Sequence, residues 1–209
     1  MGDIADRVEA LKLSALDCPR CDLSETRTNV VFGEGNPETP LVIIGEGPGQ
    51  NEDATGRPFV GRAGALLDQV LKECGLTRKH VYITNVIKCR ACVTEDGRTR
   101  NRPPSSIEIN ACLPWLEQQI AIIQPLVILC LGAPSANSII RKDFRMTQER
   151  GQFFESKYAC YAVAALHPAY ILRQDGETYE VTRRQLVEDI AAARRKVIEA
   201  KREPKLTLF

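Results

Sequence analysis

The chain has 209 residues, 44% of them hydrophobic, and 28 Lys and Arg against 27 Asp and Glu give a formal net charge of +1. That length suits one domain with a substantial core, the charge balance excludes a general attraction to polyanions, and the longest apolar run, PLVILCLGA, is far short of a membrane span. The opening MGDIADRVEA is acidic and helical, unlike a leader peptide. A single domain over residues 1–209 is therefore expected, a monomer in the cytoplasm with no membrane contact and with a loose tail at 203–209.

In chain order, a first helix is expected over residues 3–16, broken by Cys18-Pro-Arg-Cys21. An irregular stretch runs to Pro40, and residues 41–44 form a short, wholly apolar strand of the kind buried on both faces of a parallel sheet. The glycine loop GEGPGQNEDATGRPFV follows at 45–60. Apolar residues at helical spacing (Ala63, Leu66, Leu67, Val70, Leu71) predict a helix over 61–74, with Gly75 as its stop. A second strand covers 80–86 and ends at Asn85, and a polar, Arg- and Pro-rich loop covers 88–104. Ser105 or Ser106 caps a helix to 123, with Glu108 in its first turn. A third strand covers 126–131, and a short helix begins at Gly132-Ala-Pro-Ser. A hairpin of 151–155 with 158–165 brings in the fourth strand, ending at His167-Pro168, and a charged helix over 179–202 closes the chain.

Strands alternating with helices predict an α/β fold: a three-layer α/β/α sandwich around a short, mainly parallel four-stranded sheet. Gly45, Asn85, Gly132 and His167 then all fall at C-terminal strand ends, the edge along which open α/β sheets bind ligands.

The glycine loop lacks the Lys-Ser or Lys-Thr pair of a Walker loop, but Gly45, Gly47 and Gly49 let backbone N–H groups approach a ligand. Glu46 is placed to act as a base or to orient water, and Phe59 to stack on a planar ring. The Asn85 amide, with one acceptor and two donors, suits the edge of a pyrimidine. His167, held extended before Pro168, can donate to a developing oxyanion, while His80 reads as a surface residue. Basic residues gather at 98–102 and along 183–205, where they can hold phosphates. Of eight cysteines, Cys74, Cys130 and Cys160 lie in apolar contexts and read as core. Cys18 and Cys21 form a tight ligand pair that needs partners, and Cys89, Cys92 and Cys112 are available in one region. Four thiolates suit zinc or an iron–sulfur cluster. A zinc-dependent nucleotide enzyme using Cys18, Cys21, Cys89 and Cys92, or a nucleic-acid-binding module without catalysis, are the readings from other classes.

Taken together, CPRC at 18–21, TRTNVVFGEGNP at 26–37, GEGPGQNEDATGRPFVGRAG at 45–64, VYITNVIKCR at 81–90, NRPPSSIEINAC at 101–112, LGAPSA at 131–136 and HPAYILR at 167–173 resemble the family 4 uracil-DNA glycosylases, the iron–sulfur branch of their superfamily. The resemblance implies excision of uracil from single- or double-stranded DNA. It carries a 4Fe-4S cluster onto Cys18, Cys21, Cys89 and Cys112, with Cys92 outside the ligand set. It implies a uracil pocket built from Gly45, Gly47, Gly49 and Gln50, Phe59 as the stacking ring, Asn85 as the reader of the base edge, His167 as the donor near O2, and Glu46 as the water-orienting residue. Ser135, Arg102 and Arg173 are the candidate DNA contacts, and a residue near Leu172 the candidate wedge. The stretch ACVTEDGRTR lengthens the loop before Cys112. Counting back from Cys112, Asn101 takes the place where a neighbouring branch of the superfamily has a histidine that traps the abasic product. An amide cannot supply that nucleophile, so turnover is expected.

Overall fold

The computed structural model describes residues 3–202; the expected loose tail at 203–209 lies outside them. In chain order the elements are α1 (Ile4–Ala15), α2 (Leu23–Thr26), β1 (Glu34–Gly35), β2 (Leu41–Gly45), α3 (Gln50–Thr55), α4 (Gly61–Glu73), β3 (Tyr82–Asn85), β4 (Cys92–Glu95), β5 (Arg98–Asn101), α5 (Ser106–Ile123), β6 (Val127–Leu131), α6 (Ala133–Ile139), α7 (Met146–Glu149), β7 (Phe153–Ser156), β8 (Ala159–Ala165), α8 (Pro168–Ile171) and α9 (Gly176–Arg202).

The main sheet runs β1-β3-β2-β6-β8-β7. Its inner four strands are parallel, and the two edges are antiparallel. The sheet thus has six strands where four were expected. The four inner strands are the predicted ones. β7 is the first arm of the predicted hairpin, and β1 is a two-residue pairing at Gly35 that no β-branched run announces. Every residue of β2, β3 and β6 is buried, because helices cover both faces.

Alternate residues of each strand feed two cores. Val42, Ile44, Ile128 and Cys130 face α1 and α5, packing with Val8, Trp115 and Leu116. Ile43, Ile83, Leu129 and Val163 face α4 and α9, packing with Leu67, Val70, Leu186 and Ile190. The helix starts are set locally. Asp3 accepts from the Asp6 N–H at 2.8 Å. Ser105 and Glu108 form a reciprocal capping box at α5, at 3.2 and 2.7 Å.

The stretch 91–100 is not a loop. β4 and β5 pair as a separate two-stranded sheet, turned by Asp96 and Gly97, both at positive φ (50° and 71°). An Asp-Gly pair with both φ positive is the two-residue turn whose twist matches a hairpin.

Cys160 departs from expectation as well. Cys74 and Cys130 are buried, but Cys160 is exposed, between the partly buried Ala159 and Tyr161 at the start of β8.

Candidate active site

Parallel strands end together, so the segments after β2, β3 and β8 share one edge. There they wall a cleft of about 420 Å³ that contains Glu46, Phe59, Asn85 and His167, with Gly47, Gly49 and Gln50 of the glycine loop. Gly45, paired with Asn85 in the β2–β3 register, lies behind these residues and is not itself part of the lining.

Close approach explains the glycines. A Cβ on Gly45 would lie 2.5 Å from both Asn85 Oδ1 and Phe59 Cζ, and one on Gly47 would lie 2.6 Å from the Ile87 side chain. The ladder continues past the strand ends: Val86 N–H donates to Gly45 O at 2.9 Å and Ile87 N–H to Glu46 O at 3.1 Å. Of the three acids in the loop, two are structural. Glu52 accepts from Gly49 N–H (3.1 Å) and Val60 N–H (2.9 Å), closing the loop on itself. Buried Asp53 accepts from Thr28 and Asn29 N–H at 2.9 and 3.2 Å. Glu46 lines the cleft without any such bond, and burial raises its carboxyl above the ordinary 4.5. Among the described residues its carboxylate and the Asn85 amide make no hydrogen bond, which leaves both to a ligand.

His167 caps α8 and accepts the Ala169 N–H on Nδ1 at 3.1 Å. Burial, with a smaller contribution from Arg173, lowers its pKa to about 4. A neutral ring whose Nδ1 is an acceptor carries its proton on Nε2, so His167 is a neutral donor. Its ring lies 5.6 Å from that of Phe59.

The expected DNA contacts separate. Arg173 is exposed and lines a neighbouring groove that shares Glu46 and His167 with the cleft. Arg102 lines the cleft, but its guanidinium is held by Glu108 at 2.5 and 2.8 Å. Ser135 corrects the expectation: it is fully buried, and its hydroxyl is within 3.0 Å of Leu131 O and 2.9 Å of Gly132 O, so the hydroxyl cannot reach a phosphate. Leu172 packs against the α4–α9 core, whereas Tyr170 in the same turn is 42% exposed and lines the groove.

Beneath the β3 end, Cys18, Cys21, Cys89 and Cys112 line one small cavity, and Cys92, on β4, stands outside it. Among the described residues no three His, Cys, Asp or Glu side chains converge closely enough to hold one metal ion. Three of the four sulfurs face an N–H donor. Trp115 Nε1 lies 3.2 Å from Cys18 Sγ, the Lys88 N–H 3.2 Å from Cys112 Sγ, and Arg27 Nη1 3.6 Å from Cys89 Sγ.

The uracil DNA glycosylase superfamily model matches residues 32–191, a span that holds the whole cleft. The chain belongs to the uracil-DNA glycosylase superfamily. Within it, the chain is 43% identical over 178 residues to a type-4 uracil-DNA glycosylase of Thermotoga maritima, covering 85% of this chain and 88% of the relative. It is 40% identical over 205 residues to one of Sulfurisphaera tokodaii, covering 94% and 88%. To one of Pyrobaculum aerophilum it is 39% identical over 165 residues, covering 76% and 81%.

This type-4 superfamily member also uses residues that its sequence does not announce. Phe59 sits at φ 51°, and Gly64 is where α4 passes it, since a Cβ there would lie 1.7 Å from Phe59 O. Arg78 holds the strained turn, donating to Phe59 O and, at 2.9 Å, to Pro58 O. Arg78 is itself paired with Asp68 (2.8 Å) and Glu34 (3.1 Å). Arg78 is nineteen positions beyond Phe59, and Arg27, Lys88 and Trp115 are as remote from most of the sulfurs they attend. No local pattern links them.

Proposed function

We propose that the chain excises uracil from DNA, breaking the bond from uracil N1 to deoxyribose C1′ with water as the incoming nucleophile. The observation that carries this reading is the meeting of Glu46, Phe59, Asn85 and His167 in one cleft of a type-4 relative. A base in the duplex must first swing out, at a cost of roughly a few kcal/mol. Arg173 on the neighbouring groove holds flanking phosphate, and Tyr170, rather than Leu172, fills the vacated stack.

In the cleft, Phe59 covers the face of the ring. The Asn85 amide accepts from N3–H and donates to O4. Cytosine reverses both polarities and would leave buried groups unpaired, a mismatch that supports strong discrimination. As the N1–C1′ bond breaks, the electron pair goes to uracil, and charge gathers on O2. His167 Nε2–H donates there; loss of such a donor typically costs about 10²–10³ in rate. Glu46, ionised, stabilises the positive sugar and guides water to C1′. The O–C1′ bond forms, and the water proton passes to Glu46 and then to solvent. The uracil anion takes up a proton from solvent at N1, and the products are uracil and an abasic site.

The cysteine cavity fits a 4Fe-4S cluster. The four sulfurs ring a shared space, whereas a tetrahedral single-ion site draws thiolates to within about 4 Å of one another at metal–sulfur distances near 2.3 Å. The N–H donors suit thiolates. Four thiolates around a cluster of charge +2 leave a net −2, which Arg27 and Lys88 offset. On this reading Cys89 is the third ligand and Cys92 is none. Bound there, the cluster supplies a rigid crosslink between the first helix, the β3 exit and α5.

Purified protein incubated with a uracil-bearing oligonucleotide and then treated with alkali should give a strand break at the uracil. No break with single- or double-stranded substrate would remove this reading.

A further inference from the structure

Lys88 is 1% exposed, and among the described residues no carboxylate lies within ion-pair distance of it. A buried ammonium is costly and persists only where other groups satisfy it. Its Nζ donates to Asn85 O and to Thr84 Oγ1, both at 2.7 Å, and lies 5.7 Å from the Phe32 ring centroid. Thr84 in turn donates to Phe32 O at 2.8 Å, where the Gln119 amide also donates at 2.9 Å. Asn85 O and Thr84 Oγ1 are thus the two acceptors that the ammonium serves. The same residue's backbone is stitched on both sides: Val31 N–H donates to Lys88 O at 2.8 Å, and Lys88 N–H faces Cys112 Sγ at 3.2 Å.

Asn85 is the last residue of β3. The chain turns there, and the next two N–H groups bond the glycine loop. The orientation of the 85–86 peptide fixes where the Asn85 side chain leaves the backbone, and the side chain itself makes no hydrogen bond within the described residues. We propose that Lys88 is a positioning residue whose ammonium, by holding the Asn85 carbonyl, sets the direction in which the Asn85 amide meets the pyrimidine edge. The proposal rests on the uracil-excising reading above and adds to it a route by which the cysteine cavity and the base-reading residue share one buried side chain.

The test is a double-mutant cycle on the complete protein with a uracil-bearing oligonucleotide. Lys88→Met keeps apolar length and leaves the Asn85 carbonyl unpaired, a loss worth about tenfold or more in rate. The expected result is a kcat at least about tenfold lower, a KM for the oligonucleotide within about twofold of the unmodified protein, and weaker inhibition by free uracil. In an Asn85→Ala background the same change should alter kcat by less than about twofold, because its route of action is already gone. Unchanged kcat in Lys88→Met, or losses that multiply in the double variant, overturn the proposal. If Lys88→Met does not fold, Lys88→Gln, which keeps a donor, takes its place in the cycle. Failure of both to fold would make Lys88 a residue of the fold alone and also overturn the proposal. Absence of uracil release by the unmodified protein would instead remove the reading on which it rests.

Discussion

Glu46 and His167 line the same cleft, and burial moves them in opposite directions. The Glu46 carboxyl is raised above 4.5, and the His167 imidazolium is lowered to about 4. Burial penalises whichever form is charged, so the acid holds its proton longer and the base gives its proton up sooner. In the proposed reaction Glu46 acts ionised, so kcat/KM should fall as pH drops through the raised Glu46 value. His167 protonates only near 4 and cannot produce a limb at higher pH. A pH–rate profile should therefore show an acid limb above 4.5 that disappears in Glu46→Gln. Persistence of the limb in that variant would assign it to another group. Stability follows the same rule for His167. Its folded pKa is depressed, so its contribution is complete above its unfolded value near 6.5 and is lost as pH falls through about 4.

The β4–β5 hairpin has the most individual chemistry among the elements. Two antiparallel strands alone are marginal in water, and this pair is braced where it joins the cleft, Arg90 Nε donating to Asn101 Oδ1 at 2.7 Å. Asn101 and Arg102 line the cleft; Cys92 and Val93 at the start of β4 are half-buried, and the hairpin tip is exposed. The amide at Asn101 is not nucleophilic, so the proposed reaction should end in product release. Asn101→His would place an imidazole on that wall. Incubation with uracil-bearing DNA should then leave a fraction of the protein covalently attached, seen as a slower band on a denaturing gel. The unaltered protein should leave none.

For the whole molecule, the cysteine cavity joins segments far apart in sequence. Cys18 and Cys21 lie between α1 and α2, Cys89 follows β3, and Cys112 lies within α5. The proposed cluster would fix the exit of the strand that carries Asn85. Cys112→Ala should give a protein that lacks the brown colour and the absorbance at about 400 nm expected of an iron–sulfur cluster. Its melting temperature and its uracil release should fall together. Full activity in a colourless variant would separate the cavity from the cleft.

The sequence by itself determined the order of the main helices and the four inner strands, the cap of α5, and the strand-end placement of Glu46, Asn85 and His167. Those features are written in apolar period, Gly and Pro punctuation and capping residues, all of which act over a few positions. The Asp-Gly turn of the hairpin was equally local, but its strands carry mostly polar residues, so no period marks them. Only the tertiary structure decided that Ser135 points inward, that Cys160 points outward, that Cys89 rather than Cys92 joins the cavity, and that Arg78, Arg27, Trp115 and Lys88 serve Phe59, the sulfurs and Asn85. Each of these depends on which distant groups a fold brings within about 3 Å, and hydrogen-bond reach in space has no fixed spacing along a chain.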